Sequence, residues 1–265
     1  MRTNLIQTKL TFALVFFFIT LLACNAFAAP ATPTSAPTPT SIPTAIPLSG
    51  QIKITKIYYH DSGKSPDYTI DAENPAILDN PDRRLDSFNT EMHAFAQGLI
   101  EDFKKNLAQN PITPVAASSY LDVKFNLVSP SGNIWSIKFD TEGYLAGAAH
   151  PYHLSYSFNY DLEKGKDIAL SDLFLPGADY LGTISQYCTA RLKARNIGFT
   201  DTFIQGADPK PENYKNWNIT ADGLLITFDE YQVAAYAAGP QVMTVPYSEL
   251  KSLIDPKGPL GSFVK

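Results

Sequence analysis

From Tyr152 to Asp161 the chain alternates without a break, with Tyr152, Leu154, Tyr156, Phe158 and Tyr160 against His153, Ser155, Ser157, Asn159 and Asp161. A period of two means a strand with one aromatic face and one small polar face. Leu162–Lys166 then reads as a hairpin turn, with Gly165 able to take a positive φ. Ser171–Phe174 reads as a short helical turn capped by Ser171. The same alternation predicts strands over Gln51–His60 and Asp67–Ile77, the second broken at Asn74-Pro75. It also predicts hairpins that join Tyr120–Leu127 to Ile134–Thr141 and Trp217–Thr220 to Leu224–Phe228, and a last strand over Gln241–Val245. Elsewhere the period is helical. Leu85, Phe88, Met92, Phe95, Leu99, Phe103 and Leu107 recur at spacings of three and four. Asn80-Pro81 reads as the start of that helix and Asn110-Pro111 as its end. Ala178–Asn196 is a second helix, and Tyr247–Ile254 a closing helical turn. Strands and helices come in blocks rather than in strict alternation. This predicts an α+β fold, an antiparallel β-sheet with two main helices packed against it.

The first 48 residues follow neither period. Arg2 and Lys9 precede an apolar run, Leu10–Ala23, which is too short to span a bilayer and suits a signal peptide. Two processing sites overlap. Leu21–Cys24 has the form of a lipobox, which would make Cys24 the lipidated first residue of the mature protein. Ala26-Phe27-Ala28 is an ordinary A-x-A site, which would set the signal peptide at residues 1–28. Residues 29–48 are rich in Pro, Thr, Ser and Ala, with no means of forming a core, and read as an extended stalk. A single folded domain is expected over residues 49–255, with a tail at 256–265. The expected location is extracytoplasmic, either lipid-anchored at Cys24 or secreted.

Charge narrows the range of partners. The chain has 21 basic and 26 acidic residues, net −5, and Arg2 and Lys9 would leave with the signal. Such a domain is no nucleic-acid binder by charge, and its expected contact with a membrane is the lipid anchor alone. The two cysteines are Cys24 and Cys188, so the mature domain has no intrachain disulfide available. Cys188 shares a helical face with Leu181, Ile184 and Leu192 and reads as a buried structural thiol.

Candidate chemistry is sparse. Gly147-Ala148-Ala149-His150-Pro151 is a small-residue loop ahead of the aromatic strand. His150 and His153 have no Cys or carboxylate at ligand-like spacing, so no metal and no cofactor is expected. His150 is expected to bond backbone, with Gly147 supplying an unusual backbone angle. Tyr231, Tyr236, Gly239 and Pro240 form an aromatic, small-residue loop. Such a loop gives large contact area at low entropic cost, or packs on the sheet. With Gly147, His150 and Tyr152 these are the candidate ligand-binding residues. Ser155 and Ser157 lie in a strand with no nucleophile elbow around them. The carboxylate pairs Asp229-Glu230 and Asp71/Glu73 are too close in sequence to mark a glycosidase. The chain therefore reads as a binding or sensing domain and not as an enzyme.

Two stretches carry a resemblance. Gly147–Phe174 has a Gly-x-x-His-Pro loop, a Tyr-rich strand, Asn159-Tyr160-Asp161-Leu162, Gly165 and Leu170-x-Asp172-Leu173-Phe174. Phe228–Leu250 reads FDEYQVAAYAAGPQVMTVPYSEL. Together they resemble the exported domain of RsiV-type anti-sigma factors, which sense lysozyme. The same domain accompanies the catalytic domain of PdaC-type peptidoglycan deacetylases. Residues 49–115 are similar to the segment that precedes this domain in PdaC-type proteins, and residues 116–255 to the RsiV-like part. The resemblance implies helices on an antiparallel sheet and a protein ligand such as lysozyme, contacted by loops. The alternative is an accessory of cell-wall metabolism that binds peptidoglycan through Trp135, Tyr152 and Tyr156. The chain also departs from the family. Only Met1–Lys9 precede the apolar run, so no sigma-binding segment is expected. Thr227–Glu230 lacks the histidines of a deacetylase metal motif. Ala235 stands where the family has Pro before the Tyr of its Y-A-A-G loop.

Overall fold

The computed structural model describes residues 48, 52–109, 117–261 and 263. The expected signal peptide, Cys24 and the stalk up to residue 47 lie outside them. Among the described residues no helix is long and apolar enough to cross a membrane.

The α+β class holds, but there are two sheets rather than one. The first has six strands in sequence order: β1 (Ile54–Lys64), β2 (Asp67–Ile77), β3 (Ser119–Ser131), β4 (Ile134–Tyr144), β5 (Tyr152–Asp161) and β6 (Lys166–Asp167). Neighbours pair antiparallel except β2 and β3, which run parallel because helix α1 (Leu85–Gln109) crosses between them. The second sheet is β7 (Trp217–Ile219), β8 (Gly223–Phe228) and β9 (Gln241–Pro246). Helix α2 (Tyr180–Ala194) belongs to its core, and α3 (Tyr247–Leu250) follows β9.

Helix α1 buries the face that its spacing marks, with Leu85, Phe88, Met92, Ala96, Ile100, Phe103 and Leu107 turned inward. They meet Ile70, Leu121, Val123, Phe125, Ile137 and Phe139 of the first sheet. Phe88 stands edge-on to Trp135 and Tyr160. Truncating such a side chain costs about 3–5 kcal/mol. The helix starts later than Asn80-Pro81 suggests. Asn80 Oδ1 accepts from the Asp82 amide at 3.0 Å, and Leu85 N donates to Asp82 O. Asn80 thus closes a turn ahead of the helix instead of capping it.

Two other expectations are corrected. Strand β2 runs unbroken through Asn74-Pro75, with Pro75 opposite Lys56. The parallel pairing with β3 stops at Ala72, so no partner strand on that side needs a proline amide. Ser171 is not a cap. The 3-10 turn Leu170–Leu173 is capped at Ala169, whose N–H donates to the Asp172 carboxylate. Gly165 does take a positive φ, +61°.

In the core of the second sheet Ile184, Cys188 and Leu192 of α2 pack among Leu224, Ile226, Phe228 and Val245. Asp179 caps α2 by accepting from Gly182 N. Cys188 is fully buried, and burial pushes its thiol up to about 12. The two sheets meet through hydrogen bonds. Asn218 on β7 donates to Ser136 Oγ and Ile137 O on β4 and accepts from Ser157 Oγ on β5. Asn159 Nδ2 donates to Trp217 O. The small polar face of β5 is therefore an internal joint, which is why Ser and Asn occupy it.

Candidate functional site

Strand alternation decides what can meet what. Residues 153, 155, 157 and 159 of β5 face the second sheet, and 152, 154, 156 and 158 face the α1 side. Strand β5 pairs with β4 along its length, but with β6 only at Tyr160 and Asp161. Its other edge thus offers unpaired amides. The loop after β8 supplies acceptors for them: Ser155 N donates to Asp229 Oδ1 at 3.0 Å, and His153 N to Glu230 Oε2 at 3.2 Å. The adjacent carboxylates that sequence spacing left without a role are edge caps. Asp229 also accepts from Asn216 Nδ2, and burial pushes its carboxyl above the ordinary value.

Beside this joint the loop between β4 and β5 meets the loop between β8 and β9. Gly147 takes φ +93°. His150 Nδ1 lies 2.7 Å from Pro151 O, the backbone contact that its loop predicts. A carbonyl cannot donate, so Nδ1 carries the proton, and Nε2 lies 3.1 Å from Tyr231 Oη. The ring stacks on Tyr236 with centroids 3.8 Å apart, and the Tyr236 hydroxyl donates to Pro151 O at 2.9 Å. Tyr231 and Tyr236 lie 5.7 Å apart. Tyr231 is 57% exposed and sits at φ +64°. A bulky residue there is an outlier. Tyr236–Ala238 is one 3-10 turn, ended by Gly239 at φ +63°. Ala235 lies at φ −65°, the value a proline would impose, so the backbone here would accept a proline at this position.

The structure thus brings His150, Tyr231 and Tyr236 into one ring cluster, with Gly147 in the first loop and Gly239 and Pro240 in the second. It separates Tyr152, whose ring lies across Gly143 on the α1 side.

Pro240 also borders a polar cleft of about 210 Å³ on the outer face of β3–β5. Sequence reasoning missed this cleft, because its members are singly spaced residues of three strands. His153 Nδ1 is 2.7 Å from Glu230 Oε1, and Nε2 is 3.7 Å from Glu142. The Tyr120 hydroxyl donates to Glu142 at 2.6 Å, which pushes Tyr120 up to about 12. Ser155 Oγ donates to Asp140 at 3.1 Å, and Lys138 pairs with Asp140. Among the described residues Ser155 thus contacts a carboxylate and not a histidine, and this is no nucleophile–base pair. No group of three His, Cys, Asp or Glu that could hold a metal occurs among them either.

A family model described as "Protein of unknown function (DUF3298)" matches residues 171–248, from the turn before α2 to the start of α3. The peptidoglycan-N-acetylmuramic acid deacetylase PdaC of Bacillus subtilis is 28% identical over 207 residues, covering 77% of this chain and 42% of PdaC. Esterase Rv3036c of Mycobacterium tuberculosis is 31% identical over 107 residues, 40% of this chain and 47% of the esterase. The chain spans less than half the length of these relatives. A solved DUF3298-family protein of Bacteroides fragilis superposes with a TM-score of 0.63 at 16% identity, over 82% of this chain and 99% of that one. One from Pseudomonas aeruginosa gives 0.51 at 14%, over 80% and 96%. These two matches show the fold. The resemblance to a domain shared with PdaC-type proteins is borne out, and residues 171–248 carry the signature of a family whose function is unknown.

Proposed function

We propose that this chain is a non-catalytic extracytoplasmic binding domain whose ring cluster, His150, Tyr231 and Tyr236, grips a protein ligand. Lysozyme or another wall-associated protein is the ligand the resemblance favours, and a lipid at Cys24 is the proposed tether. The observation that carries the reading is Tyr231, an aromatic ring more than half exposed and held at positive φ by its loop. Strain of this kind persists where the surroundings over-determine it, and it concentrates at binding sites. Its neighbours His150 and Tyr236 are stacked on each other, which leaves little entropy to lose on contact. Two of the relatives are named as enzymes. The peptidoglycan alternative needed an exposed aromatic strip. Trp135 is instead buried, and Tyr156 packs edge-on against Phe95.

The test is a pull-down of the full chain against lysozyme and purified peptidoglycan in parallel, followed by titration with Tyr231→Ala and Tyr236→Ala. Retention of lysozyme, with a loss of about thirtyfold in either variant, is the expected result for central aromatic anchors. Retention of neither probe, or unchanged affinity in both variants, would overturn the reading.

A further inference from the structure

Strand edges are treated unequally in this chain. At the free edge of β5, amides are met by Asp229 and Glu230. On β9 the Val242 carbonyl accepts from Arg195 Nη2 at 2.9 Å. Strand β1, the first of the six-stranded sheet, pairs only with β2. Which of its backbone groups face outward follows from β2. Ile77 N donates to Asn89 Oδ1 at 2.7 Å, and Ile77 O accepts from Asn89 Nδ2 at 2.8 Å, so both groups of Ile77 point away from β1. In an antiparallel pair the residue opposite does the same, and the pattern alternates along the strand. Ile54 lies opposite Ile77. The N–H and C=O groups of Ile54, Lys56, Tyr58, His60, Ser62 and Lys64 therefore face the open edge, and none of them is hydrogen-bonded to a described residue.

Proteins protect such an edge by keeping it short, bending it with a bulge, or lining it with proline or outward charge. Strand β1 is eleven residues long, about 36 Å, with an unshifted register and no proline. Its positive side chains are held by β2: Lys56 Nζ is 2.7 Å from Glu73, Lys64 Nζ 3.4 Å from Asp67, and His60 Nδ1 2.7 Å from Asp71. Tyr58 is 73% exposed, more than any other large apolar residue among those described, and Ile57 beside it is exposed too.

We propose that β1 pairs with β1 of a second copy of this chain, antiparallel about a two-fold axis at Tyr59, joining two six-stranded sheets into one. A two-fold axis makes the edge its own complement, since outward residues then meet outward residues. Tyr59 is the midpoint of Ile54–Lys64, so the whole strand pairs. This register sets Tyr58 against His60, Lys56 against Ser62 and Lys64 against Ile54, with no like charges opposite. An axis at Tyr58 would set Lys56 against His60, and one at His60 would set Lys56 against Lys64. The chain's own residues 29–47 are unsuited to the edge, because proline recurs there every two to four residues and has no N–H to give.

The full chain in a Cys24→Ser background is sized by light scattering as its concentration is raised, and the mass should approach twice 29.1 kDa. Tyr58→Pro removes an N–H that faces the open edge and no bond to β2, so it should weaken the dimer at least about tenfold with little change in melting temperature. Tyr58→Lys leaves the backbone intact and sets a lysine against His60, and it should weaken the dimer as well. In Tyr59→Cys the two new thiols face each other at a non-hydrogen-bonded pair, a spacing that a disulfide accepts. Mild oxidation should link this variant and leave its parent unlinked. Tyr231→Ala should leave the dimer intact, which separates this edge from the ring cluster. A monomer at every concentration would leave the edge to a strand of some other protein and overturn the proposal. A dimer that neither Tyr58 variant weakens, or a Tyr59→Cys variant that does not link, would overturn it too.

Discussion

Tyr231 shows how a single residue can be placed against its own preference. Left-handed backbone costs a non-glycine residue about 1–2 kcal/mol. The contacts of its ring with His150 and Tyr236 return a similar amount, about 0.5–1.5 kcal/mol for an aromatic pair. Tyr231→Gly should therefore change stability by no more than about 1 kcal/mol, read as the urea midpoint, while ligand binding is lost. A large drop in the midpoint would mark Tyr231 as structural. At this scale the sequence was partly legible. The Tyr, Gly and Pro of the second loop and the His-Pro of the first were visible as unusual chemistry. Their meeting was not, because it joins residues 81 positions apart. Tyr152 falls outside the ring cluster for a different reason. It is next to His153 in sequence, but on a strand a neighbour belongs to the other face.

Elements bring in the edges. Strand β5 would be open along one side but for Asp229 and Glu230. Asp229→Ala leaves the Ser155 amide unmet and should cost about 1–3 kcal/mol, whereas Asp229→Asn keeps an acceptor and should cost less; urea denaturation of both variants checks the order. Glu91 of α1 faces Asp167 of β6. Burial first, then the hydrogen bond and repulsion from Asp167, raise its pKa from 4.5 to about 7. A carboxyl whose folded value is raised favours the protonated form. Its stability contribution is thus present at low pH and is lost as pH rises between 4.5 and about 7. The wild-type urea midpoint should fall from pH 5 to pH 8 by more than that of Glu91→Gln, and equal falls would refute the linkage. Helix α1 was legible because its apolar residues hold one period throughout its length. The start was not, since Asn80-Pro81 satisfies the rule for a cap and the rule for a turn equally well. The parallel register of β2 on β3 was hidden too. Nothing in either strand marks it, and it follows from where α1 delivers the chain.

The whole molecule is held by a polar joint between two apolar cores. Asn218 donates two hydrogen bonds to β4 and accepts one from β5. Asn218→Ala should destabilise by about 2–4 kcal/mol from the partners it leaves unmet. In calorimetry the wild type should melt in one transition, with calorimetric and van't Hoff enthalpies equal. The variant should show the two cores separating, with unequal enthalpies, and a single matched transition in both would mean that the joint does not couple them. This division escaped sequence reading because serines and asparagines on a strand face look like a solvated side. Cys188 acquires a second meaning at this scale. A thiol at the centre of one core, held protonated, meets a reagent only when that core opens. Its rate of alkylation is therefore a native clock for opening, with no label to introduce. On the proposed extracytoplasmic location, the same burial would divide the chain's history in two. Before folding Cys188 can be captured by any passing disulfide, and after folding it is out of reach.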